Sequence, residues 1–419
     1  METKMGTSRE SRLQSKLELR DFKLKALLEV TRAINSQSSE DDLLSQYSHA
    51  LQTYLGIGRI VLYALDLDGA FWRLLVANGV SGFVPETQSV EFFEKLNAGG
   101  ISLAGSDGVN NHAFDIVVPV SQNEEVIAFV LAGDVEEDAR GMSPVVKHLN
   151  FLQTLTNILV VALRNRELVH ENLRQEGLKR ELELAGEMQN MLVPASWPAD
   201  DQIDVSGYYQ PHHQIGGDYY DCFHIGTDRV VICMADVSGK GIGAAILMSN
   251  FQANVRAIFE GDSGDLISKV KTLNSRVMDS AQGEKYITFF VAVFNRKSRR
   301  VEYVNCGHNP PLWIDEKKES SLLELGSVGL GMFDELPTVE SGVFSALPGS
   351  SLICYTDGLV EQEDAKEVPF GMTRLEAIVR AGESVTLDEM HAEMVKQLHK
   401  FRGKTPPLDD TALLSCRFK

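Results

Sequence analysis

The sequence of 419 residues is short of the features that mark a secreted, membrane-spanning or nucleic-acid-binding chain. Lysine and arginine number 40 against 59 aspartates and glutamates, a formal net charge of −19. That leaves no basic excess to neutralise a phosphate backbone or an anionic lipid surface. The five cysteines (Cys222, Cys233, Cys306, Cys354, Cys416) are odd in number and include no C-x-x-C, which argues against a disulfide framework and a thiolate zinc site. Three of them sit in apolar runs, as small core residues do. No apolar run approaches the ~18 residues that cross a bilayer. The first residues, METKMGTSRESRLQSK, lack the apolar core of a signal peptide. The expectation is a soluble cytoplasmic protein with no nucleic-acid or membrane partner. At ~100–200 residues per domain it has about two domains, and a 43% hydrophobic content is enough for real cores.

What is present centres on one stretch, Ile215–Met248, reading IGGDYYDCFHIGTDRVVICMADVSGKGIGAAILM. Two aspartates meet short apolar runs in it: Asp218 follows Gly216-Gly217, and Asp236 closes Val230–Ala235. The second run is apolar at nearly every position, as in a strand buried on both faces. A charge at its end is expensive to bury unless paired. Asp236 therefore either tops a strand at a solvent edge or binds a cation.

In chain order, residues 1–21 read as a polar arm running into a helix, whose apolar positions Leu24, Leu27, Leu28 and Ile34 follow helical spacing. Ser38-Ser39-Glu40-Asp41 offers a cap for a second helix, Leu43–Leu55. Strand signals follow at Arg59–Leu65, Phe71–Val76, Ala113–Val120 and Val126–Ala132, the last two joined as a hairpin across Ser121-Gln122-Asn123-Glu124. A long helix is predicted from Ser143-Pro144 through Arg164. This order, with the hairpin PVSQNEEVIAFVLAGD, resembles a GAF domain over residues 22–165, with a PAS domain as the rival. GAF domains commonly sense small molecules or mediate dimerisation, so the resemblance implies a small-molecule or protein ligand here. Trp72 and Phe83 either line a pocket or fill a core.

Between the halves, Leu152, Leu155, Leu159, Ala162, Arg166, Val169 and Leu173 alternate in threes and fours, the seam of a coiled coil. The register slips near Gln175-Glu176-Gly177 and resumes as Leu178, Leu182, Ala185 and Leu192. Residues 150–194 thus read as a helical coiled-coil linker joining a homodimer, ended by Pro194 and Pro198. A helix folded back on its own domain is the alternative.

From Ile203 short apolar strands alternate with Gly, Asn and Asp turns: Ile203–Tyr209, Val230–Ala235, Thr288–Phe294, Arg300–Asn305, Pro311–Ile314, Ser351–Tyr355 and Ala412–Phe418. Helices are predicted at Ile242–Phe259, Asp265–Ser280 and Leu387–Phe401. The chain is α+β, and this half reads as a two-sheet core with helices outside. Asp218, Asp236, Asp357 and Asp409 each adjoin a predicted strand end, mostly with glycine beside them. One such Asp is usually a turn residue. Four together, with no histidine or cysteine, form an oxygen-only set suited to Mg²⁺ or Mn²⁺.

IGGDYYD, ADVSGKGIGAAILM, YVNCGHNPPL, YTDGLVE and LDDTALL occur in the order and spacing of the PPM metal-dependent serine/threonine phosphatases, in the bacterial SpoIIE/RsbU branch. ELAGEMQNMLVP also resembles the segment preceding that catalytic domain, so the resemblance runs from about Glu183 to Lys419. It implies an αββα sandwich over residues 195–419 and two metal ions, Mn²⁺ or Mg²⁺, held by Asp218, Asp236, Asp357 and Asp409, with Asp236 bridging and the carbonyl of Val237 beside it. It implies hydrolysis of a phosphoprotein, an anti-anti-sigma protein of the STAS type, by a water that the two ions activate. Departures remain. The family reads D-D-x-T at its last motif, whereas Thr411 directly follows Asp410, leaving Asp410 as an alternative to Asp409. His212, His213 and His308 are candidates for touching phosphate, though loop histidines have no such role more often than not. Lys240 does not belong to a P-loop, because Met234 and Gly241 stand where that motif needs glycine and Ser/Thr. A non-catalytic dimeric scaffold with a degenerate phosphatase domain is the rival function, and calcium-stabilised folding a third.

Overall fold

The computed structural model describes residues 3–36, 38–80, 84, 86–89, 91, 102–103, 114, 116–122, 125–133, 149–194, 196–197, 201–212, 214–261 and 264–419. The chain divides into two compact units, Met1–Gln175 and Glu176–Lys419.

In the first unit, the arm expected over 1–21 is helical, because α1 runs from Thr3 to Asn35. Helix α2 (Glu40–Leu55) starts where the Ser39 side chain accepts the Asp42 N–H, and it ends at Gly56 in the left-handed region, φ 66°. Strands β1 (Arg59–Leu65), β2 (Phe71–Asn78), β3 (Thr87–Ser89), β4 (Ser102–Leu103), β5 (Ile116–Gln122) and β6 (Glu125–Gly133) follow. They form one antiparallel sheet in the order β3-β2-β1-β6-β5-β4. Ile60, Leu62, Val118 and Val130 on one face pack with Val30, Tyr47, Leu51, Leu155 and Leu159. Trp72 is buried on the other face, edge-on to Phe129 with ring centroids 4.9 Å apart, so it fills a core rather than a pocket. Phe83 lies outside the described residues.

Helix α3 spans Leu149–Asn190. Its predicted start at Ser143-Pro144 lies outside the described residues, and it passes through Gln175–Gly177 without interruption. Leu152, Leu155 and Leu159 of the predicted seam are spent in the first unit's own core, whereas Val169, Leu173 and Leu178 are exposed. The part of the helix from Glu176 onward belongs to the second compact unit.

The second unit contains β7 (Ile203–Gln210), β8 (Tyr219–Ile225), β9 (Arg229–Val237), α4 (Ile242–Glu260), α5 (Leu266–Ala281), β10 (Ile287–Asn295) and β11 (Arg300–Cys306). After them come β12 (Leu312–Ile314), β13 (Ser320–Leu322), β14 (Gly326–Ser327), β15 (Gly342–Ser345), β16 (Ser351–Tyr355), α6 (Asp357–Val360), α7 (Met372–Ala381), α8 (Leu387–Arg402) and β17 (Thr411–Phe418). One sheet has the order β14-β11-β10-β9-β8 with β15 also on β11, and the other β13-β12-β16-β17-β7. The pleat sorts side chains by parity. Val231, Cys233, Ala235, Phe289 and Val291 face α4 and α5. Ile232, Met234, Phe290, Leu352, Cys354, Ala412 and Leu414 interdigitate between the sheets. Ile353, Tyr355 and Leu413 pack under Leu375, Ile378 and Met390 of α7 and α8. The result is the expected αββα layering. All five cysteines are buried free thiols.

Candidate metal centre

The same parity decides where the acids go. Asp236 lies two residues beyond Met234 on β9, and Asp218 two before Tyr220 on β8, so both carry on the row that faces the opposing sheet. From the second sheet, Asp410 lies two residues before Ala412 on the same inter-sheet row. Asp357 opens α6 at the end of β16. The threonines of the two motifs hold that corner together. Ala412 N–H donates to Thr356 Oγ1 at 2.9 Å, and Thr411 Oγ1–H donates to the Gly358 carbonyl at 3.4 Å. Gly358 has no alternative there, since a Cβ would stand 1.9 Å from the Asp410 carbonyl oxygen.

The two neighbouring acids of LDDTALL have different tasks. Asp410 is buried and both its oxygens are engaged: His212 N–H donates to Oδ1 at 2.7 Å and Gly217 N–H to Oδ2 at 2.6 Å. Asp409 stands nearer the surface, and its Oδ2 is 2.9 Å from Lys240 Nζ. The loop before it is held by buried Gln362, which donates to the Pro406 carbonyl and accepts the Leu408 N–H. Asp410 thus ties β17 to the Asp218 loop, whereas among the described residues Asp409 accepts only the neighbouring Asp410 N–H on Oδ1, at 2.9 Å, and Lys240 on Oδ2.

The electrostatics show carboxylates forced together. Burial, then Asp236 and Asp410, push the Asp218 carboxyl well above the usual range. Burial, then Asp357, Asp409 and Asp410, push Asp236 up to about 7. Burial and Asp409 raise Asp357. Asp218 Oδ2 is buried with no hydrogen-bond partner among the described residues. Such a set, drawn from two sheets with Lys240 paired to Asp409, calls for positive charge. The donors are hard oxygens, as Mg²⁺ or Mn²⁺ prefers. The carbonyl of Val237 faces Gly217, where a Cβ would lie 3.2 Å from it. Among the described residues, no three His, Cys, Asp or Glu side chains stand close enough to grip a metal as they are.

His308 is buried, with its ring Nδ1 2.9 Å from Thr288 Oγ1 and its backbone N–H donated to Asn305 Oδ1 at 2.8 Å. Thr288 is the cross-strand partner of Asp236. The histidine therefore backs the site, and burial lowers its pKa to about 4. His212 contributes its backbone N–H, and His213 lies outside the described residues. Gly239 and Gly241 sit at φ 83° and 81°, which the turn into α4 requires. Three neighbours were not anticipated. Lys285 Nζ donates to the Ser238 carbonyl at 2.9 Å; the Tyr209 hydroxyl is buried beside Gly216; and Gln189 reaches the Gly216 backbone. Among the described residues no helix is long and apolar enough to cross a membrane.

The family described as stage II sporulation protein E (SpoIIE) matches residues 226–419, which include Asp236, Asp357 and Asp409 but begin after Asp218. The phosphoserine phosphatase RsbP of Bacillus subtilis is 33% identical over 187 residues, 44% of this chain and 46% of that protein. The phosphoserine phosphatase RsbU of the same organism is 29% identical over 196 residues, 46% of this chain and 57% of that protein. The chain thus spans about half the length of these relatives. The SiaA-PP2C domain of Pseudomonas aeruginosa superimposes with a TM-score of 0.52 at 20% identity, covering 59% of this chain and 99% of that domain. Residues 226–419 thus match the SpoIIE family model, and the C-terminal unit has the fold of the SiaA-PP2C domain.

Proposed function

We propose that the chain is a metal-dependent serine/threonine phosphatase acting on a phosphoprotein. The observation that carries this reading is the set of aspartates from two sheets at one rim, with Asp218, Asp236 and Asp357 all held above their ordinary pKa by burial and by one another. Asp218, Asp236, Asp357 and Asp409, with the Val237 carbonyl, would hold two Mn²⁺ or Mg²⁺ ions. Such ions, when bound, supply a water that is nucleophilic near neutral pH and polarise phosphoryl oxygens. The chain's own contribution is to fix the donors. Asp410 locks the Asp218 loop to β17, Gly358 admits the backbone of Asp409-Asp410, and Lys240 steadies Asp409 while remaining half-exposed at the rim. No side chain has to act as a covalent nucleophile.

The substrate is read as a phosphorylated STAS-type protein, from the kinship with RsbP and RsbU. The first unit is read as a GAF-like sensor of a small molecule or protein. The exposed apolar residues of α3 beyond Arg166, among them Val169, Leu173 and Leu178, suit a homodimeric coiled coil that relays its state. The test is Mn²⁺-dependent release of phosphate by the full chain from p-nitrophenyl phosphate and from a phosphoserine STAS protein. Turnover lost in Asp236→Ala supports the reading; a wild type inert with Mn²⁺ and Mg²⁺ on both substrates refutes it and favours a scaffold.

A further inference from the structure

We propose that Gln189, at the C-terminal end of α3, is a positioning residue for the metal centre. This rests on the metal-dependent reading above and deepens it, because it names where the linker helix grips the site. Gln189 Nε2–H donates to the Gly216 carbonyl at 2.7 Å, and Gly216 N–H donates to Gln189 Oε1 at 3.1 Å. One carboxamide thus satisfies both backbone groups of a residue that lies outside any strand, since β8 begins only at Tyr219. Gln189 is buried although Glu187, Met188 and Asn190 around it are exposed. A buried carboxamide is tolerated only when both of its ends are paired, and here both partners belong to the loop that carries Asp218.

Two glycines show how closely the layers are stacked. A Cβ on Gly186, one turn earlier in α3, would stand 2.1 Å from the Gln214 carbonyl oxygen, so helix and loop meet backbone to backbone. On the loop's far side, a Cβ on Gly216 would stand 2.0 Å from the Tyr209 hydroxyl and 2.4 Å from Asp410 Oδ2. The segment 214–217 is therefore a single layer of backbone between the helix and the carboxylates. The next N–H along, that of Gly217, is the one donated to Asp410. A shift of the helix end has no slack to absorb it before it reaches Asp218 and Asp410. Groups that orient a ligating carboxylate typically change metal affinity by roughly 10–100-fold when removed.

The test uses the full chain and two variants. Gln189→Met keeps volume and removes both hydrogen bonds; Gly186→Ala leaves Gln189 in place and wedges the helix off the loop. Glu187→Gln, on the exposed side of the same turn, is the control. The readouts are Mn²⁺ binding followed by the paramagnetic resonance of free Mn²⁺, amide hydrogen exchange over 214–218, and thermal unfolding. The expected result is Mn²⁺ affinity weakened roughly tenfold or more in both variants, with faster exchange of the Gly216 amide, an unfolding temperature lowered by only a few degrees so that both variants stay folded at the assay temperature, and Glu187→Gln unchanged. Wild-type Mn²⁺ affinity together with wild-type exchange in Gln189→Met overturns the proposal. A wild-type chain that binds no Mn²⁺ refutes instead the metal reading beneath it.

Discussion

Replacing Arg256 by methionine should unfold the C-terminal unit at a markedly lower temperature. Asp221 on β8 is completely buried, and four donors hold it. Arg256 Nε and Nη2 reach Oδ2 and Oδ1 at 2.7 and 2.9 Å, the Tyr219 hydroxyl donates to Oδ2 at 2.7 Å, and the Cys222 N–H donates to Oδ1 at 2.8 Å. Arg256 rises from α4 and also lies over the Phe223 ring, its guanidinium carbon 4.3 Å from the centroid. Removing one member of a buried pair leaves an uncompensated charge and costs about 3–5 kcal/mol. The Arg256 side chain is 36% exposed, so water reaches its outer edge and the low end, about 3 kcal/mol, applies. For a unit of this size, about 2–4 °C per kcal/mol gives a fall of roughly 6–12 °C. Scanning calorimetry of the full chain reads this on the transition belonging to the C-terminal unit. The double variant Asp221→Leu/Arg256→Met should recover most of the loss, because an apolar pair replaces the charges instead of stranding one. Unfolding of Arg256→Met within about 2 °C of wild type would refute the argument that this pair anchors α4.

Gly358→Ala should lower turnover by roughly a hundredfold, since the new Cβ collides with the Asp410 carbonyl and an ångström of misplacement at a site costs about that much; steady-state kinetics at saturating Mn²⁺ check it. His391, paired to Ser206 and Ser415, is lowered by burial to about 4 from its ordinary 6.5. Between those values the unfolded chain binds the extra proton, so this group's contribution is complete above pH 6.5 and declines as pH falls towards 4, by up to about 3 kcal/mol. Asp218, Asp236 and Asp357 are raised and act in the opposite sense. The difference between wild type and His391→Gln therefore isolates the histidine: the stability gap from urea unfolding should narrow from pH 7.5 to pH 4.5, and a constant gap would contradict it.

Much of this was legible in the sequence because one rule, alternation along buried strands, governs both core and site. Apolar runs such as Val230–Ala235 announced strands, and Asp236 and Asp357 follow the ends of two such runs, Asp357 with a glycine directly after it. Counting back in twos from Ala412 also separates Asp410, which faces the sheet interface, from Asp409 beside it. The strand Tyr219–Ile225 was hidden because Asp221 breaks its apolar pattern, and the Arg256 that makes this burial tolerable lies 35 residues away. The leucines of α3 were ambiguous for a different reason. The same spacing serves a helix lying on its own domain and a helix facing a partner, and Leu152, Leu155 and Leu159 serve the first. Gln189 stands within the quoted segment ELAGEMQNMLVP, but its partner in the Asp218 loop could not be read from pattern, nor could the place of the Tyr209 hydroxyl beside Gly216.

The central claim is that carboxylates far apart in sequence share divalent ions. Calorimetric titration of the full chain with Mn²⁺ tests it most directly. Two ions bound per chain, with that binding lost in a folded Asp236→Ala variant, is the predicted result; undiminished binding by Asp236→Ala, or none by the wild type, would contradict it.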